Sequence, residues 1–250
     1  MRIDRWFGAT ALAVALTSAH ALQPAPLVTR VQPSGPEVPA NLLRLSLRFE
    51  RPVEGPVLGR LALLGPDGTR RPAPFLEQEL WSPDGKTLTI LMHPGRVKSG
   101  LFAHDELGPI LSAGEDVTLV LDGRPIKRWH VGQADTAGPD ATAWTLSAVR
   151  AGSRQPLVVS LDGPIDGRDA DYLAVADPHG ERLAGQARLV DGERAWTFVP
   201  SAPWSAGSYR LVARGTLEDP CGNRLGGRFE TSIQSPPGTP VDAEIPFSVR

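Results

Sequence analysis

Leu61-Ala-Leu-Leu-Gly-Pro-Asp-Gly68 and Leu173-Ala-Val-Ala-Asp-Pro-His-Gly180 are one phrase written twice. Each begins with four apolar residues and ends in a Pro-x-Gly turn. Proline presets the first central turn position, and glycine supplies the positive φ that closes it. Ser82-Pro-Asp-Gly85 is a third turn of this kind. Around the turns, Leu43-Arg-Leu-Ser-Leu-Arg-Phe49, Thr87-Leu-Thr-Ile90 and Asp116-Val-Thr-Leu119 alternate apolar and polar residues. A period of two marks a strand with one face in a core and one in solvent. No window of twelve or more residues carries a helical period.

The repeat extends beyond that phrase. The strand opening at Leu43 resembles Leu157-Val-Val-Ser-Leu-Asp-Gly-Pro-Ile165, Leu88–Leu91 matches Trp196–Val199, and Ser112-Ala-Gly114 matches Ser205-Ala-Gly207. Four matches in the same order, about 100 residues apart, describe tandem domains and not a solenoid. The polar stretch Ala134-Asp-Thr-Ala-Gly-Pro-Asp140 separates them. Gly and Pro number 26 and 25 in 250 residues, which argues against a helical bundle. Six or seven short strands per unit, with turns between them, predict an immunoglobulin-like sandwich. The expected fold is therefore all-β, two tandem immunoglobulin-like β-sandwiches after a cleaved signal peptide. The expected bounds are 1–21 for the signal and 22–134 for the first domain. A linker at 135–140, a second domain at 141–234 and a tail at 235–250 complete them.

The second repeat closes with Thr216-Leu-Glu-Asp-Pro-Cys-Gly-Asn223, and each repeat opens with an alternating strand ending near Pro-Val or Pro-Ile. These features resemble the bacterial Ig-like domain of the surface-layer SbsA type, across most of the chain. The first repeat departs from it, ending in Leu121-Asp-Gly-Arg124. The resemblance implies an exported, envelope-associated module and no catalytic residues. Within the closing turn, Asp219 is expected to accept backbone N–H bonds, with Gly222 and Asn223 left-handed.

The first residues point to the same compartment. Arg2 and Arg5 precede an uncharged apolar run from Trp6 to Ala19, and Ala19-His20-Ala21 is a small-x-small cleavage pattern. This is a secretory signal, too short to span a bilayer. The expected location is periplasmic or extracellular. Cys221 is the single cysteine, so no intrachain disulfide can form, and the fold relies on core packing.

Charge and motif narrow the chemistry. A formal net charge of −2 offers no field for nucleic acid. Nucleophile-elbow, zinc-protease, Cys-x-x-Cys and phosphate-loop motifs are missing, so no enzyme is expected. No cofactor or metal site is assigned either. Two alternatives to a non-enzymatic binding or structural module stay open. One is a periplasmic copper-carrier-like protein, which would use His20 at a mature N-terminus. The other is an accessory domain protein for an envelope enzyme. Among the tryptophans, Trp196 and Trp204 share register with aliphatic residues and read as core, leaving Trp81 and Trp129 as surface aromatics.

The first repeat also carries a long insertion, residues 93–110, where the second runs directly from Pro200 to Trp204. It gathers Arg96, Lys98, His104, Asp105 and Glu106 among apolar anchors. Long loops in compact domains are commonly functional. These five residues are the expected recognition surface for an envelope protein or glycan, with Arg96 and Lys98 facing an acidic partner group. The alternative is a lid that closes the sandwich.

Overall fold

The computed structural model describes residues 27–97, 108–227 and 240–250. The signal segment 1–21 lies outside them. Eight strands form before the linker: β1 (Val28–Gln32), β2 (Glu37–Pro39), β3 (Arg44–Phe49), β4 (Leu61–Leu64), β5 (Leu80–Trp81), β6 (Thr87–Leu91), β7 (Asp116–Leu121) and β8 (Arg124–Gly132). Seven follow it: β9 (Thr145–Leu146), β10 (Leu157–Ser160), β11 (Leu173–Ala176), β12 (Gly185–Val190), β13 (Ala195–Pro200), β14 (Gly207–Ala213) and β15 (Ala243–Val249). The one α-helix among the described residues, α1 (Pro94–Val97), opens the insertion.

The strands make two pairs of sheets. The first pair has orders β1-β3-β6-β5 and β2-β8-β7-β4; the second has β9-β10-β13-β12 and β11-β14-β15. Matched by position, β1, β3, β6 and β5 correspond to β9, β10, β13 and β12. Likewise β4, β7 and β8 correspond to β11, β14 and β15. This four-against-three strand order is that of the immunoglobulin-like sandwich. Every pairing is antiparallel except β2 with β8. That parallel strand covers the edge of the first β7-β8 sheet, and β15 has no described counterpart to it.

Each pair of sheets encloses its own apolar cluster, one drawn from Val31–Val131 and the other from Trp144–Val249. Alternation decides which side chains enter. Leu45, Leu47 and Phe49 of β3 face inward and are fully buried. Leu47 pairs with Leu88, and at the equivalent place Val159 pairs with Trp196. Burying such a side chain contributes about 1.5–3 kcal/mol. Trp204 and Trp144 are also buried, as core positions require.

The three turns close as expected. Gly68, Gly85 and Gly180 have φ of +77°, +65° and +88°. Their N–H groups reach the carbonyls of Gly65, Ser82 and Asp177 at 3.0, 2.9 and 3.0 Å. Near the start of β14, the Tyr209 hydroxyl donates to Ser205 O at 3.1 Å and fixes the loop that enters the strand.

One boundary differs from the sequence reading. Residues 243–249, expected within a tail outside the second domain, are strand β15 of that sandwich, paired with β14 from Gly207↔Val249 to Ala213↔Ala243. Phe247 stacks on Tyr209 with ring centroids 5.7 Å apart, so the strand completes the core.

Candidate functional site

The insertion is anchored by Arg96. Its side chain is 2% exposed and points inward. Nε donates to Gly108 O at 2.9 Å and Nη2 to Pro109 O at 3.3 Å. Nη1 donates to Pro72 O and, at 3.4 Å, to Ala73 O. One guanidinium therefore ties both ends of the insertion to the 72–73 bend, where Ala73 takes a left-handed φ of +39°. Burial, and then the charge of Arg71, holds the Arg96 pKa below its usual value. The expectation that Arg96 faces an acidic partner group is corrected: the buried side chain donates to the carbonyls of residues 72, 73, 108 and 109 inside the molecule. Lys98, His104, Asp105 and Glu106 lie outside the described residues.

Trp129 requires a second correction. It is 1% exposed, and its indole N–H donates to Pro33 O at 2.9 Å, so it belongs to the first core. Trp81 is half-buried against Phe49 and donates to Glu79. Neither forms an open aromatic platform.

The densest chemistry lies at the seam between the two sandwiches. Three connections from one end of the second sandwich reach it: β10–β11, β12–β13 and β14–β15. They meet the outward face of β1 and β3 and the bend that follows β1. Arg44 projects from β3 into this seam. Its Nη1 pairs with Asp166 at 3.2 Å and its Nη2 with Glu218. Arg168 supports Asp166 at 3.1 Å, and Arg224 supports Glu218 at 3.3 Å. Beside them, fully buried Glu193 accepts Ser34 N–H at 2.6 Å and the Gln32 amide at 3.2 Å. Ser46, on the polar face of β3, is 4% exposed because the second sandwich covers it.

The closing turn of the second repeat is part of the same seam. Asp219 accepts the N–H groups of Cys221 and Asn223 at 2.8 and 2.9 Å, as the sequence predicts. Gly222 has φ +84°; Asn223 does not share the left-handed conformation expected of it, because its side chain bonds back to Asp219 at 2.7 Å. The turn presents Pro220 O to the N–H groups of Leu43 and Arg44. Asn41 then links three segments. It donates to Asp135 O at 2.7 Å, accepts from Asp135 N at 2.8 Å, and accepts the Cys221 thiol at 3.2 Å. The linker is thus bonded down on both sides. A side chain at Gly138 would meet Arg224 O at 2.0 Å.

Electrostatics follow burial. Asp169, which accepts Glu218 N–H at 2.8 Å, is pushed up to about 6 mainly by burial. Asp219 is likewise pushed up to about 6 by burial, against the opposing bonds from Asn223. Burial also drives the Cys221 thiol far upward, so it is a proton-bearing packing group and not a nucleophile. Carboxylates at such values can act as general acids or bases. Here both oxygens of Asp219 and one of Asp169 already have protein partners. The neighbouring space, walled by Gln32, Arg44, Ser46 and Asp166, measures ≈ 10 Å³, room for one water and no substrate.

Sequence reasoning did not single out Arg44, Asn41, Asp166 or Glu193. Arg44 reads as an ordinary solvent-side residue of an alternating strand, and nothing local distinguishes it from Arg48. Only the closing turn carried a signal in its spacing.

No protein-family model and no curated protein sequence matches the chain. Distant likenesses exist among solved structures. PcoC, a methionine-rich copper resistance protein from Escherichia coli, is 12% identical at a TM-score of 0.29, covering 46% of this chain and 100% of its own. The I67–I69 fragment of titin is 8% identical at 0.25, covering 83% of this chain; the match spans only 58% of that fragment. An L,D-transpeptidase from Mycobacterium smegmatis is 13% identical at 0.29, covering 88% of this chain and 71% of its own. At such TM-scores these likenesses carry no weight for function; the fold class rests on the strand order described above. Among the described residues, no helix is long and apolar enough to cross a membrane. Among the same residues, no three His, Cys, Asp or Glu side chains are grouped to hold a metal ion.

Proposed function

We propose that this chain is an exported, non-enzymatic module of a bacterial cell envelope. Two tandem immunoglobulin-like sandwiches of the SbsA type are held as one unit that binds or spaces an envelope protein or glycan. The seam is the observation that supports this reading. The buried acids Asp166, Asp169, Glu193 and Asp219 all lie at the junction, with Arg44 pairing across it. Charge used in this way fixes the orientation of one sandwich on the other. An active site would keep such groups facing a substrate-sized space. The export signal at the N-terminus supplies the compartment.

The test is expression with the native N-terminus in a bacterial host, followed by intact-mass measurement and affinity capture from envelope extract. A species beginning at Leu22 and recovered with one envelope component supports the proposal. Retention of Met1 in the cytoplasm removes export, and a start at His20 revives the copper-carrier alternative.

A further inference from the structure

The two sandwiches are joined through polar groups. Their apolar clusters share no residue, and hydrogen bonds and ion pairs cross the seam between them. Pro220 O takes the N–H groups of Leu43 and Arg44, Glu193 takes that of Ser34, and Arg44 pairs with Asp166 and Glu218. Arg44 Nε is buried there with no hydrogen-bond partner. Such an interface is the weakest plane of a two-domain molecule, because domains move on one another unless a large apolar surface holds them. The fit is nonetheless close: a Cβ at Gly167 would lie 2.3 Å from the Gln32 amide.

Charge at this plane does not balance. Arg44 of β3, Arg168 of the β10–β11 connection and Arg224 of the closing turn are taken by Asp166 and Glu218. Lys127 of β8 donates to Ser34 O at 2.7 Å and faces Glu193. Asp169 and Asp219 have no ion-pair partner among the described residues, and other acids face them. Asp166 and Glu218 face Asp169, with Arg168 opposing them, and Asp135 of the linker faces Asp219 beside the protonated Cys221. Asp169 uses Oδ2 for the Glu218 N–H, and its Oδ1 receives no hydrogen bond among the described residues, which leaves room for a proton. Both acids hold the groups that grip the first sandwich: Asp169 holds the backbone of Glu218, and Asp219 shapes the turn that carries Pro220. When the sandwiches part, water reaches these acids and their charge is no longer penalised. A proton on either therefore favours the joined form. Burial pushes both carboxyls up to about 6, which sets that uptake just below neutral pH. We propose that the seam is a proton-tightened joint: protons on Asp169 and Asp219 hold the two sandwiches together more firmly, and their loss lets the sandwiches part more often.

The test is amide hydrogen exchange of the full-length protein at pH 7 and pH 5, each rate divided by that of the free chain at the same pH. Protection of the Leu43, Arg44 and Ser34 amides, which donate across the seam, should rise about tenfold on acidification. At both pH values these amides should exchange faster than those of Leu47 and Val159, central in their sheets, because the joint opens without unfolding either sandwich. Asp169→Asn keeps an acceptor for the Glu218 N–H and removes the proton site. It should raise seam protection about threefold at pH 7 and reduce the response to acid to about threefold. Seam amides protected as strongly as the sheets would mean that the sandwiches part only by unfolding, and would overturn the joint. Seam protection that is flat or falls from pH 7 to pH 5 overturns the role of the protons, as does an Asp169→Asn protein with the wild-type response. The wild-type rates decide the first two outcomes without the variant.

Discussion

The first and second sandwiches share a strand order but solve the same two geometric problems differently. In the first, the outer edge of β8 is covered by the parallel strand β2, and the flank where the chain crosses from one sheet to the other is closed by Phe75 and the Arg96 anchor. In the second, the outer edge of β15 is uncovered by any described strand, and the flank is open at Gly185. The loop ends differ too. The β10–β11, β12–β13 and β14–β15 connections place buried Asp166, Glu193 and Asp219 at the neighbouring sandwich, whereas the equivalent β5–β6 turn of the first is exposed at Pro83 and Asp84. Alternation and turn chemistry fix the strand order in both copies. Closure is left to single residues, which diverge freely because each acts only on its own flank.

Three substitutions separate these local effects from the shared one. Arg44→Ala should have the largest effect, because it leaves buried Asp166 and half-buried Glu218 without their partner across the seam. Breaking a buried ion pair from one side costs about 3–5 kcal/mol. Chemical denaturation should show both sandwiches losing their common transition. If only one transition moves, the seam does not couple them. Arg96→Met should cost about 3 kcal/mol, since the carbonyls of residues 72, 73, 108 and 109 lose their donors. Hydrogen exchange should then rise in the first sandwich alone, and protection lost in β10–β14 would contradict the local reading. Gly185→Ala should cost about 1–3 kcal/mol through overlap with Phe198, in the second sandwich alone. A neutral result there means that the crossing relaxes more easily than its geometry implies.

The smallest effect expected is that of pH. Asp169 and Asp219 have folded-state values of about 6, above the ordinary value of 3.8. A raised carboxylate binds its proton more tightly when folded, so these groups penalise the folded state at neutral pH. The penalty is relieved as pH falls through about 6 towards 3.8. Thermal stability should therefore rise by a few degrees between pH 7 and pH 5, as about 1 kcal/mol would produce. Below that window it should fall. Asp116 and Asp122, for example, are held below the usual range by hydrogen bonds and neighbouring positive charge, and lose those interactions on protonation. Asp169→Asn combined with Asp219→Asn should flatten the rise. A stability that only declines below pH 7 would count against it.

How much of this was written locally can be judged residue by residue. Leu45, Leu47 and Phe49 announce their inward face by spacing alone, and Gly68 and Gly180 announce their turns. β15 was left in the tail because Ser235-Pro-Pro-Gly-Thr-Pro240 breaks any strand ahead of it, with Ile245–Val249 left free to pair with either domain, and the strand carries Pro246 at its centre. The strand tolerates it because Pro246 shares its side with Arg250, whose carbonyl accepts Ala151 N–H away from β14. Arg96 was assigned to the surface for its charge, and Trp129 because no aliphatic residue of the other repeat shares its register. Both are buried because distant carbonyls, those of residues 72, 73, 108 and 109 and of Pro33, happen to receive them. Long-range partners of that kind leave no periodic trace in a sequence. Arg44 failed to stand out for the same reason, since its partners are more than a hundred residues away.

Pro246 has a consequence outside its own sheet. A bare seven-residue edge offers any passing extended chain a complete row of amide donors and carbonyl acceptors, and thereby a template for edge-to-edge aggregation. At Pro246 that row lacks a donor in the middle, so a foreign strand cannot zip along β15 without leaving a carbonyl stranded. The interruption costs the β14–β15 ladder nothing, because the missing N–H would have pointed away from β14. One ring closure thus guards the side of β15 that no described strand covers against self-templating at high local concentration.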